Sequence, residues 1–564
     1  MLNIMNKPNP SLLLLAAGAA FGLPLVAAAQ QVDSSWVSAA TANWATPARW
    51  STNPNIPNNG VPGGQTYRAI FAVNSAAYTI TLNTNITVDQ ILLQASNATI
   101  NHAGGTLTLV QSLNRTAGQY QLGGGTISGG TLNMGAGASL RLNVAATSTL
   151  SGVTLNGGIN KISTASVDAV SLNLQNGCTI NGAMNFGASA GVIRVRDGLA
   201  LTGQATLGVG TTLLFDGAQA FNTGTINLAN GTLSSLTPTV LTLGSAVTLN
   251  GPGTIAGDQL VSNALVIATG GVLTINPTSL SGNGTLRVVN GGTLNLFTGT
   301  STAWGSVGTF SLQGGTLNLG GVFSSAELAT IQRSGGVLQV SGTANNTGSA
   351  INLATIGNLE LTGGTIRGGS VSTAPGGALT VIAGLNSRLD GVVVNGNLST
   401  TGSSVATTLT LAGANSVTGD FTLGASQGTT RVTGSLAVGG TMRIGAASII
   451  SYQSATVLDN HRVQLSGGQI VSSGAPGQGV TLGSGSTITG NGAITGTGLT
   501  NNGLITASGG VLNIFSSSVS GAGDYAVTSG GTLNFLTGTV TPWTTPGAFV
   551  LSGGALDLGG SFAS

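Results

Sequence analysis

The segment GGTLNLFTGTSTAWGSVGTF, residues 291–310, returns as GGTLNFLTGTVTPWTTPGAF, residues 530–549. The two segments lie 530 − 291 = 239 positions apart. LGGGTISGG from Leu122 returns as LTGGTIRGG from Leu361 at the same distance, 361 − 122 = 239. Self-similarity at a long fixed period is typical of repeat architectures. We therefore predict that the chain contains two copies of one repeating unit.

A shorter repeat lies inside the long one. Units that open on a glycine pair, GGVLTI, GGTLNL, GGTLNL and GGVLQV, begin at residues 270, 291, 314 and 335, so the steps are 21, 23 and 21 residues. Apolar and polar residues alternate within each unit, as in Thr293-Leu294-Asn295-Leu296, which places every second side chain on one face of a strand. The glycines supply the positive φ angles that tight turns between such strands need.

A coil of this length accommodates three short strands and three turns. We predict an all-β fold, a right-handed parallel β-helix (a solenoid), with copy one at residues 86–324 and copy two at residues 325–564, incomplete at its C-terminus. Leu294, Leu317 and Leu338 should stack as one interior row. About 24 coils, spaced by about 4.8 Å, would form a rod on the order of 110 Å long.

The composition agrees with a thin solenoid. Glycine contributes 93 of 564 residues, aromatic residues 4% and charged residues 5%. A typical globular domain has about 25% charged residues, so Thr, Ser and Asn must solvate this surface. Disordered chains combine low hydropathy with high net charge; here the mean hydropathy is +0.37 and the net charge is +2. The chain can therefore bury a long apolar core.

The N-terminus has the features of a secretory signal peptide at residues 1–29. Lys7 precedes the apolar run Leu12 to Val26, and the small-residue site Ala27-Ala28-Ala29 follows directly before Gln30. A membrane anchor is the alternative interpretation of the same run. The chain from Gln30 onward keeps 14 basic and 13 acidic residues, which predicts no nucleic-acid partner. We also expect no transmembrane span in the mature chain.

Residues 30–85 differ from the repeats. They contain Trp36, Trp44 and Trp50 among several prolines. The first coil of a solenoid leaves an open edge that needs covering, so we predict that this segment is an N-terminal cap. The three tryptophans are the alternative candidates for a ligand-binding platform. A third interpretation rests on Asn53-Pro54-Asn55, which resembles a motif of two-partner-secretion domains.

A few residues other than the repeated glycines are identical in the two copies. Two interpretations are open: a structural role between coils, or repeated contact points for a carbohydrate or a partner surface, where aromatic residues are enriched. The surviving pairs are Trp304 and Trp543, Phe310 and Phe549, and Arg194 and Arg431.

The acidic residues argue against catalysis. Eleven Asp and two Glu are scattered singly, whereas glycoside hydrolysis uses paired carboxylates. Asp258 faces Thr497 across the copies, and Asp390 faces Ser151, so the carboxylates did not persist through the duplication. His102 and His461 have no spaced partner for zinc. We therefore predict no catalytic residue, no metal site and no cofactor.

The repeat units carry a resemblance. GNGTL at Gly282–Leu286 and GNGAI at Gly490–Ile494, together with the GGTLNL units behind a signal peptide, resemble bacterial autotransporter-associated β-strand-repeat proteins, and more loosely filamentous-haemagglutinin-like passengers. The resemblance implies export to the cell surface, outer membrane or extracellular space, and an outer-membrane translocator encoded beyond this chain. Residues 559–564 match residues 320–325, where copy one continues, so we expect the native gene to encode a further coil.

Together these features predict an exported, adhesin-like structural solenoid without catalytic activity, whose partner is a carbohydrate or a host or cell-surface molecule. The alternative is a polysaccharide lyase or glycoside hydrolase on the same scaffold. A third possibility is binding to ice or a crystal surface through regular rows of threonine.

Overall fold

A computed structural model describes residues 30–143, 146–161, 169–187, 191–382, 384–401, 408–424, 428–475, 478–528, 530–543 and 547–562. In this part of the chain every pairing between named strands is parallel, and the strands form about 22 stacked turns. The predicted β-solenoid is confirmed; its right hand stays a prediction. The predicted signal peptide, residues 1–29, lies outside the described residues.

Each turn crosses three sides of the solenoid in the order one, two, three. Side one is made by Thr126–Ser128, Thr147–Ser151, Val170–Gln175, Gly191–Val195, Thr211–Phe215, Thr232–Ser235, Gly253–Ile255, Gly271–Ile275, Gly292–Leu296, Thr316–Leu319, Val337–Val340, Leu359–Leu361, Ala378–Val381, Asn397–Thr400, Phe421–Leu423, Thr441–Ile444, Asp524–Thr528 and Phe549–Ser552. Side two is made by Gln30–Ser35, Gln65–Phe71, Thr131–Asn133, Thr154–Asn156, Cys178–Ile180, Leu199–Leu201, Gln259–Ser262, Ser279–Ser281, Val322–Ser324, Thr343–Asn345, Thr365–Arg367, Asn386–Asp390, Thr408–Ala412, Thr429–Val432, Ile449–Tyr452, Thr532–Phe535 and Ala555–Leu558.

Side three closes each turn. It is made by Ala42–Asn43, Tyr78–Leu82, Ala98–His102, Gln119–Leu122, Ser139–Leu142, Gly158–Lys161, Met184–Asn185, Gln204–Thr206, Leu265–Ala268, Thr285–Val288, Thr309–Leu312, Gln332–Arg333, Ala350–Asn352, Ser370–Ser372, Val393–Asn395, Ala414–Val417, Ser435–Val438, Thr456–Leu458, Val480–Leu482, Leu499–Asn501, Val519–Ser520, Pro542–Trp543 and Ser561–Phe562. Longer strands bend around a corner and serve two sides: Ile86–Leu93, Thr106–Arg115, Gln219–Asn227, Val240–Asn250, Arg462–Ser472, Thr487–Gly496 and Leu504–Ser516. The helical segments are Pro47–Arg49, Ala326–Ala329 and Leu353–Ile356.

The interior is a set of stacked aliphatic rows. Leu294 pairs in register with Leu317, and Leu317 with Leu338. All three are at most 1% exposed, because alternation along each strand turns every second side chain inward. The predicted interior row is therefore confirmed.

The N-terminal segment takes part in the stacking. Gln30–Ser35 pairs with the strand Gln65–Phe71 in the same parallel sense as the later turns, and Ala42–Asn43 pairs with Tyr78–Leu82. Residues 30–85 thus contribute strands to sides two and three. Their predicted role as a cap stays a prediction.

The second copy is rotated by one side relative to the first. Counting along side one from Thr126–Ser128, the eleventh following strand is Leu359–Leu361. The strand of copy two that corresponds to Thr126–Ser128 is Thr365–Arg367, which comes next in the chain and lies on side two. The 239 residues that separate equivalent positions of the two copies therefore span eleven turns and one side. In consequence Leu294 lies on side one, whereas its counterpart Leu533 pairs with Leu512 and Leu556 on side two.

Side three is interrupted near the junction of the copies. One of its sheets ends at Gln332–Arg333, and the next begins at Ala350–Asn352. The Arg333 guanidinium joins two turns, since its Nη1 donates to Ile356 O at 3.2 Å and to Asn358 O at 2.7 Å. Its Nη2 donates to Gly336 O at 2.6 Å. Charge-assisted bonds to backbone carbonyls therefore replace strand pairing at this break.

Candidate functional site

The three N-terminal tryptophans lie in the core. Trp36, Trp44 and Trp50 are at most 2% exposed. Trp44 and Trp50 lie 4.9 Å apart, Trp36 packs edge-on against Trp50 at 5.1 Å, and Phe71 contacts all three rings. Trp50 Nε1 donates to Trp44 O at 2.7 Å. This geometry shows a packed aromatic cluster, not a platform open to a ligand.

The copied tryptophans each close a loop from inside. Trp304 is 7% exposed and its Nε1 donates to Gly320 O at 2.9 Å. Trp543 is half-buried and donates in the same way to Gly559 O at 2.9 Å. Trp304 stacks on Phe323 at 4.7 Å, so its large apolar area stabilises the turn. Both bonds span the same loop in the two copies.

The loop before each tryptophan is copied in detail. Phe297 adopts φ 51° and its counterpart Leu536 adopts φ 54°, a conformation that is uncommon for large side chains. In each copy a threonine hydroxyl, of Thr300 or Thr539, donates to that residue's carbonyl at 2.9 Å. These contacts therefore give the loop before each tryptophan the same backbone structure in both copies.

Rotation of the copies also separates the two tryptophans on the surface. Ala303, next to Trp304, bridges to Val322 on side two. Trp543 pairs with Val519 on side three. Repeated contact points at these positions would face different directions, so they do not form one continuous binding surface.

Several carboxylates of the described residues serve as structural acceptors. Asp216 accepts from Arg196 at 2.8 Å and from Arg194 at 3.4 Å. Asp390 lies 3.2 Å from Arg388, and Asp258 accepts from the backbone N–H of Thr239 at 3.2 Å. Among the described residues, no three or more His, Cys, Asp or Glu side chains cluster in a way that could hold a metal ion.

The two histidines are neutral structural groups. Burial lowers the pKa of His102 to about 4; its Nδ1 accepts from the Tyr120 hydroxyl at 3.0 Å and its Nε2–H donates to Gly105 O at 3.2 Å. Burial also lowers the pKa of His461. Its Nε2 accepts from the backbone N–H of Val438 at 3.2 Å, so the ring links a side-three strand to the corner of the next turn.

The buried thiol of Cys178 is an internal group of the same kind. Burial raises its pKa, and its Sγ lies 3.3 Å from Leu150 O. A thiol that stays protonated is a poor nucleophile, so the packing agrees with a small core residue.

Threonines form a short outward row on side one. Thr212, Thr232, Thr254 and Thr274 occupy successive turns, and the row then passes to Asn295. The other outward positions of the first two strands are Leu214 and Ser234. The row is therefore one threonine wide over these turns.

A depression that was not predicted from the sequence runs along the corner between sides one and two. It has a volume of about 590 Å³ and crosses five successive turns. We call it the axial groove, and it is lined by Thr298, Gly299, Asn318, Gln339, Ser341, Thr362, Gly363, Leu385 and Asn386. The sequence does contain an indication of this groove, because amide side chains replace threonine at the outward positions Asn295, Asn318 and Gln339. Only the turn register shows that these positions adjoin.

Comparisons with protein-family models, curated proteins and solved structures find no match to this chain. Within the described residues, no helix is long and apolar enough to cross a membrane. The class that the fold defines is therefore a β-solenoid scaffold, and its finer role rests on the chain's own residues.

Proposed function

We propose that this protein is an exported, rod-shaped structural protein of the bacterial cell surface with an adhesin-like role. The observation that carries the proposal is the stacking of about 22 parallel turns. At about 4.8 Å per turn, such a stack extends over roughly 105 Å. A long thin body of this kind displays a large side surface to partners relative to its core.

The outward side chains support a role outside the cell. On side two, an asparagine ladder links Asn133 to Asn114 at 2.7 Å, Asn156 to Asn133 at 2.7 Å, and Asn181 to Asn156 at 2.8 Å through Nδ2-to-Oδ1 hydrogen bonds. Salt screens exposed ion pairs, but it does not screen bonds between neutral amides in this way. A surface held by amides and hydroxyls suits a compartment of variable ionic strength.

Export is tested by the N-terminus of the product. We expect the protein expressed in a Gram-negative host to begin at Gln30 and to be cleaved by protease added to intact cells. A matched variant, Ala27→Lys with Ala29→Lys, should keep the leader because both positions of the small-residue site are changed. A wild-type product that keeps its leader and stays in the cytoplasm would contradict the proposal.

The same preparation separates the scaffold role from the polysaccharide-cleaving alternative. Ion pairs and backbone bonds already occupy Asp216, Asp390 and Asp258, which favours structural carboxylates. We expect no new reducing ends and no unsaturated products when purified protein is incubated with neutral and acidic polysaccharides. Turnover that disappears on substitution of one acidic residue would establish the alternative.

A further inference from the structure

We propose that the axial groove binds a neutral oligosaccharide lying along the rod axis. This inference goes beyond the structural role above and does not depend on export. It rests on the chemistry, the unsatisfied polar atoms and the shape of the groove.

The lining is rich in uncharged hydrogen-bonding groups. Hydroxyls of Thr298, Ser341 and Thr362 and amides of Asn318, Gln339 and Asn386 make up six of the nine lining residues, and none of the nine carries a charge. Hydroxyls and amides each donate and accept, as sugar hydroxyls do. An anionic ligand would find no counter-ion among these residues and would meet the nearby Glu360 carboxylate, so the lining favours a neutral polyol chain over an anionic one.

Two polar atoms of the lining lack internal partners. Asn318 Nδ2 donates to Asn295 Oδ1 at 3.4 Å, but Asn318 Oδ1 accepts no hydrogen bond. Gln339 Nε2 is directed instead to Glu360 Oε2 at 2.9 Å, and Ser341 Oγ also has no partner. A buried polar atom without a hydrogen bond destabilises the fold. Both atoms are shielded from solvent in this structure, so a ligand hydroxyl bonds to them once their side chains rotate toward the groove.

The groove is long enough for an extended chain. Its five turns, from Thr298 to Asn386, correspond to about 19 Å at the usual strand spacing. Its volume lies within the roughly 300–1,000 Å³ range of ligand sites. Leu385 is 50% exposed and forms an apolar wall. A side chain at Gly363 would approach this wall, since a Cβ added at that position would lie 3.2 Å from Leu385 Cβ.

Binding is tested with soluble oligosaccharides on the full chain. Cellohexaose, maltohexaose and mannohexaose are the neutral probes, hexagalacturonate is the anionic one, and the dissociation constant is measured by calorimetry. We expect at least one neutral probe to bind and the double variant Gln339→Ala, Asn386→Ala to weaken it about tenfold or more. The matched control removes another outward amide pair, Asn513→Ala with Asn534→Ala, six turns along the rod, and should leave binding unchanged.

The possible outcomes separate the proposal from its rivals. Circular dichroism of each variant establishes that the solenoid is intact before binding is compared. No binding of any neutral hexasaccharide at millimolar concentration would overturn the proposal. Equal binding by the groove variant, or tighter binding of hexagalacturonate than of the neutral probes, would overturn it as well.

Discussion

Acidification should destabilise the first turns of the solenoid through His102. This imidazole is fully buried and is held between the Tyr120 hydroxyl and Gly105 O. Its pKa is about 4 in the folded chain, against 6.5 for an exposed histidine. The unfolded state therefore binds a proton between these two pH values, whereas the folded state does not. The folded state therefore keeps the stability contributed by neutral His102 above pH 6.5 and loses it as the pH falls toward 4.

The size of the effect follows from the pKa difference. One pKa unit corresponds to about 1.4 kcal/mol, so the full loss below pH 4 is about 3 kcal/mol, and about 2 kcal/mol is lost already at pH 5. The free energy of unfolding of wild type, measured by urea titration, should fall by about 2 kcal/mol more between pH 7.5 and pH 5 than that of His102→Gln. Subtracting the variant removes the contribution of the carboxylates that both proteins share.

Direct titration provides the sharper measurement. The chain contains two histidines, so ¹³C-labelled histidine yields two Cε1 signals, and His461→Gln assigns them. Both should titrate below pH 6.5, with His102 the lower. A pKa of His102 near 6.5 in the folded protein would refute the reasoning, because the imidazole would then be as well solvated folded as unfolded.

Two substitutions, each paired with a control substitution, test the packing. Leu317→Ala leaves a cavity in the interior row and should lower the local free energy of unfolding by about 2–5 kcal/mol, measured as faster amide exchange in the adjoining turns. Thr316→Ala, on the outward face, should change this free energy by less than about 0.5 kcal/mol. Equal effects of the two substitutions would contradict the assigned faces. Gly434→Ala places a Cβ against Gly413 O and should lower the urea midpoint, whereas Gly305→Ala meets open space and should leave it nearly unchanged. Similar midpoints for the two alanine variants would refute the close stacking of turns.

Much of the fold could be predicted from local patterns. Alternation in units such as Thr293-Leu294-Asn295-Leu296 determines which side chains face inward, and the spacing of 21–23 residues determines which leucines stack. Long-range contact in a solenoid is contact with the next turn, so the repeat distance predicts it.

The environment of the aromatic residues was harder to predict. A sequence with Trp36, Trp44 and Trp50 close together is compatible with a buried aromatic cluster and with an exposed binding platform. Only the packing of the three rings against Phe71 distinguishes the two. The axial groove was not predicted for a related reason. Its walls come from positions up to 386 − 298 = 88 residues apart, and Leu385 and Gly363 adjoin only in the folded chain.

The sequence by itself determined the solenoid class, the period of the turns and the identity of the interior row, because these follow from periodicity and from glycine's freedom in turns. The tertiary structure alone decided that 239 residues span eleven turns and one side. All three sides impose the same requirement, apolar residues inward and polar residues outward, so no local pattern distinguishes one side from the next. Only the hydrogen-bonded register shows that Leu294 and its copy Leu533 belong to different sides.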